Sequence, residues 1–227
     1  FKRSLAIREE IGDKTGISES LHSIGAVYNY KGNYKLALKY IERSLAIRED
    51  IGDKRGIGIS LNSIGSIYRN KGNLDVALDY LKRSLAIKEK IGDKRGMEIS
   101  LNNIGIVSYN KGDYVHGMVY LEKSLSIQKE TGSCQGNLML ETTTHYYLTY
   151  KALGKEYEIK EIHTLIKDAE NIEFELNYAL YQLLEDKSYL ETAYNQVQEK
   201  ASAMEEELKA KFLSYPIPKA IVEEWEK

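Results

Sequence analysis

Apolar residues along this chain fall at helical spacing, in stripes that stop and restart at glycines. Ile17, Leu21, Ile24 and Tyr28 recur three and four positions apart, which places them on one face of a helix. Asp13 stands where a side chain can satisfy the first orphan amides, so a helix is predicted from there to about Lys31. Gly32 supplies a left-handed residue to end it, and Asn33 starts the next. That second helix carries Leu38, Ile41, Leu45 and Ile47 and stops at Gly52. A link this short forces the two helices to lie antiparallel and touching.

The same text then returns. Residues 12–51, 52–91 and 92–131 align without a gap at 40 residues per copy, and the first two copies agree at 24 of 40 positions. Self-similarity at such a period marks units that cannot bury their apolar faces alone and do so by stacking. The expected fold is all-α, a right-handed superhelical solenoid of antiparallel helix pairs with a long C-terminal helix. Gly25 and Gly65 sit in mid-helix, where glycine costs about 1 kcal/mol against alanine. Such a cost fits a place where a neighbouring helix needs the room, with Ala37 and Ala77 as the partners. In the third copy Gly105 is kept and Gly117 replaces that alanine.

Outside the clear units the pattern thins. Residues 1–11 repeat the end of a unit, so they read as the tail of a preceding repeat and the chain as part of a longer protein. Residues 132–171 and 172–213 form two degenerate units, with helices expected over 132–154, 156–171 and 172–184. Ser188-Tyr189-Leu190-Glu191 has the form of a capping box, and a helix is predicted from there to about Leu213. Leu190, Tyr194, Val197, Ala201, Met204 and Leu208 are spaced by four and three. Two readings follow: a helix that caps the last open face, or a seam that pairs two chains as a homodimer through residues 188–213. In residues 214–227, Pro216 and Pro218 predict an extended step, followed by a short helix with Ile221, Val222 and Trp225 on its apolar side.

Leu21, Ile24-Gly25, Tyr28, Gly32, Tyr34, Ala37, Ile41 and Ser44 together resemble the helix-turn-helix pattern of the tetratricopeptide repeat (TPR) family. Leu61, Ile64-Gly65, Tyr68, Gly72, Leu74, Ala77, Leu81 and Ser84 repeat it. The third copy keeps Leu101, Ile104-Gly105, Gly112, Tyr114, Leu121 and Ser124 but has Ser108 where tyrosine is usual. The 40-residue period and the Gly-Asp-Lys-x-Gly linker are similar to the extended repeats of kinesin light chains and spindle-orientation adaptors, and to bacterial multi-repeat signalling proteins. The resemblance implies a protein-interaction module that takes a protein or peptide segment on its first helices. It also implies that asparagines there grip the segment's main chain. The family's clamp for a chaperone tail needs Lys, Asn and Arg at set positions, and His22, Ala26, Ser63 and Ile99 break it, leaving only Asn103.

Composition narrows the classes. The formal net charge is −2 with 29% charged residues of both signs, without the basic excess of a nucleic-acid binder. The single cysteine, Cys134, cannot close an internal disulfide, which fits a reducing, cytoplasmic setting. No run of 18 apolar residues exists for a membrane span. His22, His116, His145 and His163 fall in different units without metal-ligand spacing, and Gly56-Ile57-Gly58 lacks the strand and third glycine of a phosphate loop. No cofactor, metal site or enzyme activity is expected. The candidate binding residues are those of the first helices that lie off the buried stripe: His22, Ser23 and Asn29; Asn62, Ser63, Arg69 and Asn70; Asn102, Asn103 and Asn110. Their amide groups offer donors and an acceptor that can pair with any peptide backbone. Two other roles stand beside this one: a peptide sensor that switches a fused effector, and a structural spacer acting through its last helix.

Overall fold

A computed structural model of the chain describes residues 2–132 and 136–227; Cys134, expected near a helix start, lies outside them. The described residues form helices and no strand: α1 (Lys2–Ile11), α2 (Lys14–Tyr30), α3 (Tyr34–Asp50), α4 (Lys54–Asn70), α5 (Leu74–Ile91), α6 (Lys94–Asn110) and α7 (Tyr114–Thr131). They continue with α8 (Asn137–Ala152), α9 (Lys160–Lys167), α10 (Phe174–Leu184), α11 (Lys187–Ser202), α12 (Glu206–Leu213) and α13 (Pro216–Trp225). The chain divides into two compact units, Phe1–Gly96 and Met97–Lys227.

In the first unit the helices begin and end where the pattern predicts. Asp13 and Asp53 each accept the amide of a glycine three residues on, Gly16 and Gly56, at 2.9 Å. Gly32 and Gly52 take φ of 69° and 72°, the left-handed turn that closes the preceding helix. α2 packs on α3 and α4 on α5, burying Leu21, Ile24, Ala37 and Ile41 in one pair and Leu61, Ile64, Ala77 and Leu81 in the next. The helix crossings explain the mid-helix glycines. A Cβ on Gly25 would lie 2.5 Å from Ile41 Cγ1 and 3.2 Å from the Ala37 carbonyl oxygen; one on Gly65 would lie 2.6 Å from Leu81 Cγ and 3.2 Å from the Ala77 oxygen. Each pair also stacks two tyrosines, Tyr28 on Tyr40 and Tyr68 on Tyr80, with ring centroids 5.6 and 5.7 Å apart.

Polar bonds fasten these elements with the same period. Within a pair, Ser44 donates to the Ser18 carbonyl and Ser84 to the Gly58 carbonyl, both at 2.7 Å. Between pairs, Arg48 leaves the end of α3 and donates through Nη1 to the Gly56 carbonyl and to Ser60 Oγ, both at 2.8 Å. Arg8 makes the same two bonds to Gly16 and Ser20, at 2.6 and 2.9 Å. The linker glycines make room for this: a Cβ on Gly16 or Gly56 would stand 2.7 Å from the arginine's Cδ.

In the second unit the third pair, α6 and α7, keeps the crossing. A Cβ on Gly105 would stand 3.2 Å from the Gly117 oxygen, the separation found at Ala37 and Ala77, so the alanine-to-glycine change leaves the helices no closer. Ser124 again donates to a carbonyl on the facing helix, that of Glu98, at 2.9 Å. The pattern then breaks. Gly112 and Gly154 both end a first helix with positive φ and stand 42 positions apart rather than 40. In that register Tyr147 occupies the place of Gly105. A phenol there cannot let a second helix cross closely, and α9 is 8 residues long where residues 156–171 were expected to be helical. Tyr147 instead stacks on Tyr157 at 5.5 Å and donates to Glu161 Oε2 at 3.0 Å. Burial, helped by that carboxylate, pushes its phenol up to about 12.

The C-terminal segment departs further from expectation. The single helix predicted over 188–213 is two helices, α11 and α12, separated at Ala203–Glu205. Glu205 closes the break as the residue before α12, and Glu206 and Glu207 sit in the first turn of α12, where the helix dipole favours negative charge. The cap of α11 is Asp186, which accepts the Ser188 amide at 2.9 Å, so Ser188 is not the capping residue. Leu190, Val197 and Ala201 of the expected seam are buried within the chain itself, where α11 packs on α10 and α13. Tyr194 stacks on Trp225 at 5.2 Å. The prolines do not form an extended step; Pro216 opens α13 at the position where its missing amide costs nothing. The turn between α11 and α12 seats Phe212 edge-on against Phe174 at 6.1 Å.

Two glycine substitutions separate crowding from helix propensity. Gly65→Ala is expected to destabilise the chain by about 1–3 kcal/mol, because the facing backbone cannot yield. Gly58→Ala meets only ordinary contacts from 3.4 Å outwards and is expected to gain up to about 1 kcal/mol from helix propensity. Urea unfolding of the two variants checks the opposite signs.

Candidate partner-binding face

The caps, stripes and polar ties use up most of each first helix and leave one row of side chains. In the first unit this row lies on α2 and α4, which touch each other. His22, Ser23, Asn29, Asn62, Ser63, Arg69 and Asn70 are all half-buried rather than sunk in the core. His22 Nδ1 and Asn29 Oδ1 are covered but have no hydrogen-bond partner. Arg69 Nε donates to Asn70 Oδ1 at 3.3 Å, so these two neighbours fix each other. Tyr30 and Ile59 add exposed aromatic and aliphatic surface to the same helices.

Electrostatics beneath the row come from the arginine tie. Burial lowers the His22 pKa to about 4, and the nearby Arg48 guanidinium pushes the same way, so the imidazole is neutral at physiological pH. Arg48 is itself held against burial by Asp53 and Glu19. Lys88 replaces arginine at the next copy, and burial lowers its ammonium to about 8 despite Asp93.

The third first helix differs. On α6 every residue from Leu101 to Ser108 is buried. Asn102 is 1% exposed and Asn103 7% exposed, and Asn102 Nδ2 donates to Glu141 Oε2 of α8 at 2.8 Å. The expectation that both asparagines project freely is therefore corrected: neighbouring side chains, Glu141 among them, enclose that part of the helix. Asn110 remains exposed. Sequence reasoning also missed the buried ties of Arg48, Ser60, Ser44 and Ser84. Their signal was available, since Ser20, Ser60 and Ser100, and Ser44, Ser84 and Ser124, recur in register in every clear copy.

No group of three His, Cys, Asp or Glu residues among the described residues is placed to hold a metal ion. The four histidines lie on α2, α7, α8 and α9, and His116 pairs locally with Asp113 at 2.9 Å. No described helix is long and apolar enough to cross a membrane.

Tandem antiparallel helix pairs with caps, crossings and ties at one period, bearing a polar row on the first helices, define an all-α repeat scaffold. The tetratricopeptide repeat family model matches residues 1–50 and 16–90, and this part of the chain belongs to that family. TPR-like repeats of a protein assigned as a kinesin light chain, from Podosopora anserina, have a crystal structure similar to this chain. The TM-score is 0.53 at 17% identity, covering 92% of this chain and 96% of that one. A variant of the same repeats gives the same score and identity over 92% and 95%. At that identity the likeness shows the fold, across the degenerate half as well. No curated protein sequence matches the chain. TPR repeats generally mediate protein–protein interaction, and folds of this kind typically serve as non-enzymatic scaffolds.

The depressed pKa of His22 sets a pH dependence. The unfolded chain takes up this proton near pH 6.5 and the folded chain only near pH 4, so stability falls as pH drops through that window and levels below it. Replacing His22 with Gln is expected to flatten the slope by up to one proton, measured by urea unfolding between pH 7 and 4.

Proposed function

We propose that this chain is a non-enzymatic interaction module that holds an extended protein segment along its first helices, with the α2–α4 row as the principal contact. The observation that carries this reading is the pair of covered, unpartnered atoms His22 Nδ1 and Asn29 Oδ1 on that row. Buried polar atoms are seldom left unpaired in folded proteins; a peptide N–H is the donor that Asn29 Oδ1 lacks, and a peptide N–H or C=O suits His22 Nδ1 according to its tautomer. Neutral imidazole and amide groups select by backbone geometry more than by charge, while Ile59 and Tyr30 supply apolar contact for side chains of the segment. Because the helices are already fixed by the arginine and serine ties, binding loses conformational entropy mainly on the ligand's side. The same reading places the protein in a reducing, cytoplasmic setting, in keeping with its one cysteine.

The test is selection of peptides from a displayed random dodecapeptide library on the 227-residue chain, followed by titration of the selected peptide. Changing His22, Asn62 and Arg69 together to Ala is expected to weaken binding by about tenfold or more while far-UV circular dichroism stays unchanged. Undiminished binding by the triple variant would remove the α2–α4 row from the interface.

A further inference from the structure

The outward positions of the second helices change character in the third copy. Positions 35 and 39 are lysines on α3, and 75 and 79 are aspartates on α5; on α7 the same register holds Val115 and Val119. These valines are 57% and 38% exposed. Valine is a poorer helix former than lysine, and an exposed site buries little of it, so the exchange gains nothing for the fold. Met118 lies on the same side of α7, and its Sδ accepts a hydrogen bond from Lys155 Nζ at 3.7 Å. That ammonium also stands 5.2 Å from the centre of the Tyr150 ring on α8. The hydroxyls of Tyr150 and Tyr146 share a hydrogen bond of 3.0 Å. Burial first, then that bond and the Glu122 carboxylate, raise the Tyr146 pKa, so Glu122, on the turn of α7 after Val119, stands beside the tyrosines. α7 and α8 pack together within the second unit. They present a continuous surface of aliphatic side chains and a thioether, then phenols, with a carboxylate at the margin.

We infer that this α7–α8 surface is a second interaction site, which takes a protein segment bearing an arginine beside aliphatic residues. Val115, Val119 and Met118 give the aliphatic residues an apolar contact. The Tyr150 ring already carries a cation on its face, and a guanidinium stacks there better than an ammonium because it is planar and more weakly hydrated. Lys155, held there by a ring and a thioether, moves into water as the guanidinium enters. Glu122 then accepts the guanidinium N–H groups. An acidic side chain would meet Glu122 as a like charge. A purely aliphatic segment would strip water from that carboxylate without replacing its hydrogen bonds. The site lies wholly within the second unit, and it does not rest on the reading of the α2–α4 row.

Dodecapeptides selected by display on the full wild-type chain, then synthesised and titrated against three variants, test the inference. Val115→Lys with Val119→Lys puts back the residues that the first copy carries in that register, so the helix is retained, as melting curves will verify. Among the selected peptides, a class is expected that binds this double variant about tenfold or more weakly yet binds the His22, Asn62 and Arg69 to Ala variant as it binds the wild type. That class is expected to share an arginine. Replacing the arginine by citrulline, its neutral isostere, should weaken binding about tenfold or more to the wild type and less than about twofold to Glu122→Gln. Absence of any peptide sensitive to the valine changes overturns the site. Valine-sensitive peptides without an arginine, or a citrulline effect equal with and without Glu122, overturn the assigned occupant and with it the inference. Each of these results leaves the α2–α4 reading to its own triple variant.

Discussion

The buried guanidinium of Arg48 is the bond on which the stacking of helix pairs depends. A pair alone has an open apolar side, and hydrophobic contact with the next pair would tolerate sliding. Arg48 removes that freedom by donating to one carbonyl and one hydroxyl of the following helix. Several other features are subordinate to it. The second glycine of the linker leaves space that the capping aspartate's carboxylate and the arginine stem both occupy. Asp53 lies close enough to offset part of the buried charge, besides capping the helix. Desolvating a cation is expensive, and neutral His22 carries part of the consequence.

Much of this architecture is legible in the residues. The aspartate caps, the glycine turns and the stripe residues Leu21, Ile24 and Ile41 behave as their spacing implies, because local chemistry decides each of them. The mid-helix glycines are also readable, since only close crossing excuses their helix cost. Arg48 and Ser44 were harder to read. Hydropathy assigns such residues to the surface, and only their recurrence in register points inward. Asn102 was misjudged for a different reason: nothing in its own helix announces that Glu141, 39 positions later, would enclose it.

The degenerate half fails as a repeat at identifiable residues. Tyr147 stands where a glycine would leave the crossing open; the second helix there is short, and its Ile162 is buried with Leu140 and Leu148 while Tyr147 and Tyr157 pack against that cluster. Gln128 stands in register with Lys88 and bonds Ser124 and Thr142 at 2.9 and 3.0 Å without a charge. The expected straight helix is two, broken at Ala203–Glu205, and the corner lets Phe212 bury against Phe174. What reads as decay along the chain is a change from periodic stacking to an aliphatic core, Leu140, Leu148, Ile162, Leu176 and Leu180 among its residues, with tyrosines packed against it.

The arginine tie has a bearing on how such a protein can change length. Arg8 and Arg48 each reach 8 and 12 residues ahead, to a glycine and a serine. Deleting residues 12–51 would bring Gly56 and Ser60 to those same distances from Arg8, so the joint would re-form from identical parts. Duplication of the segment would do likewise. Unequal recombination within the gene can therefore add or drop a whole copy in this region without creating a mismatched junction. After Gln128 that freedom ends, because the receiving helix is two residues out of step and offers Thr142 instead. The regular copies are thus interchangeable parts, and the chain after Gln128 is not.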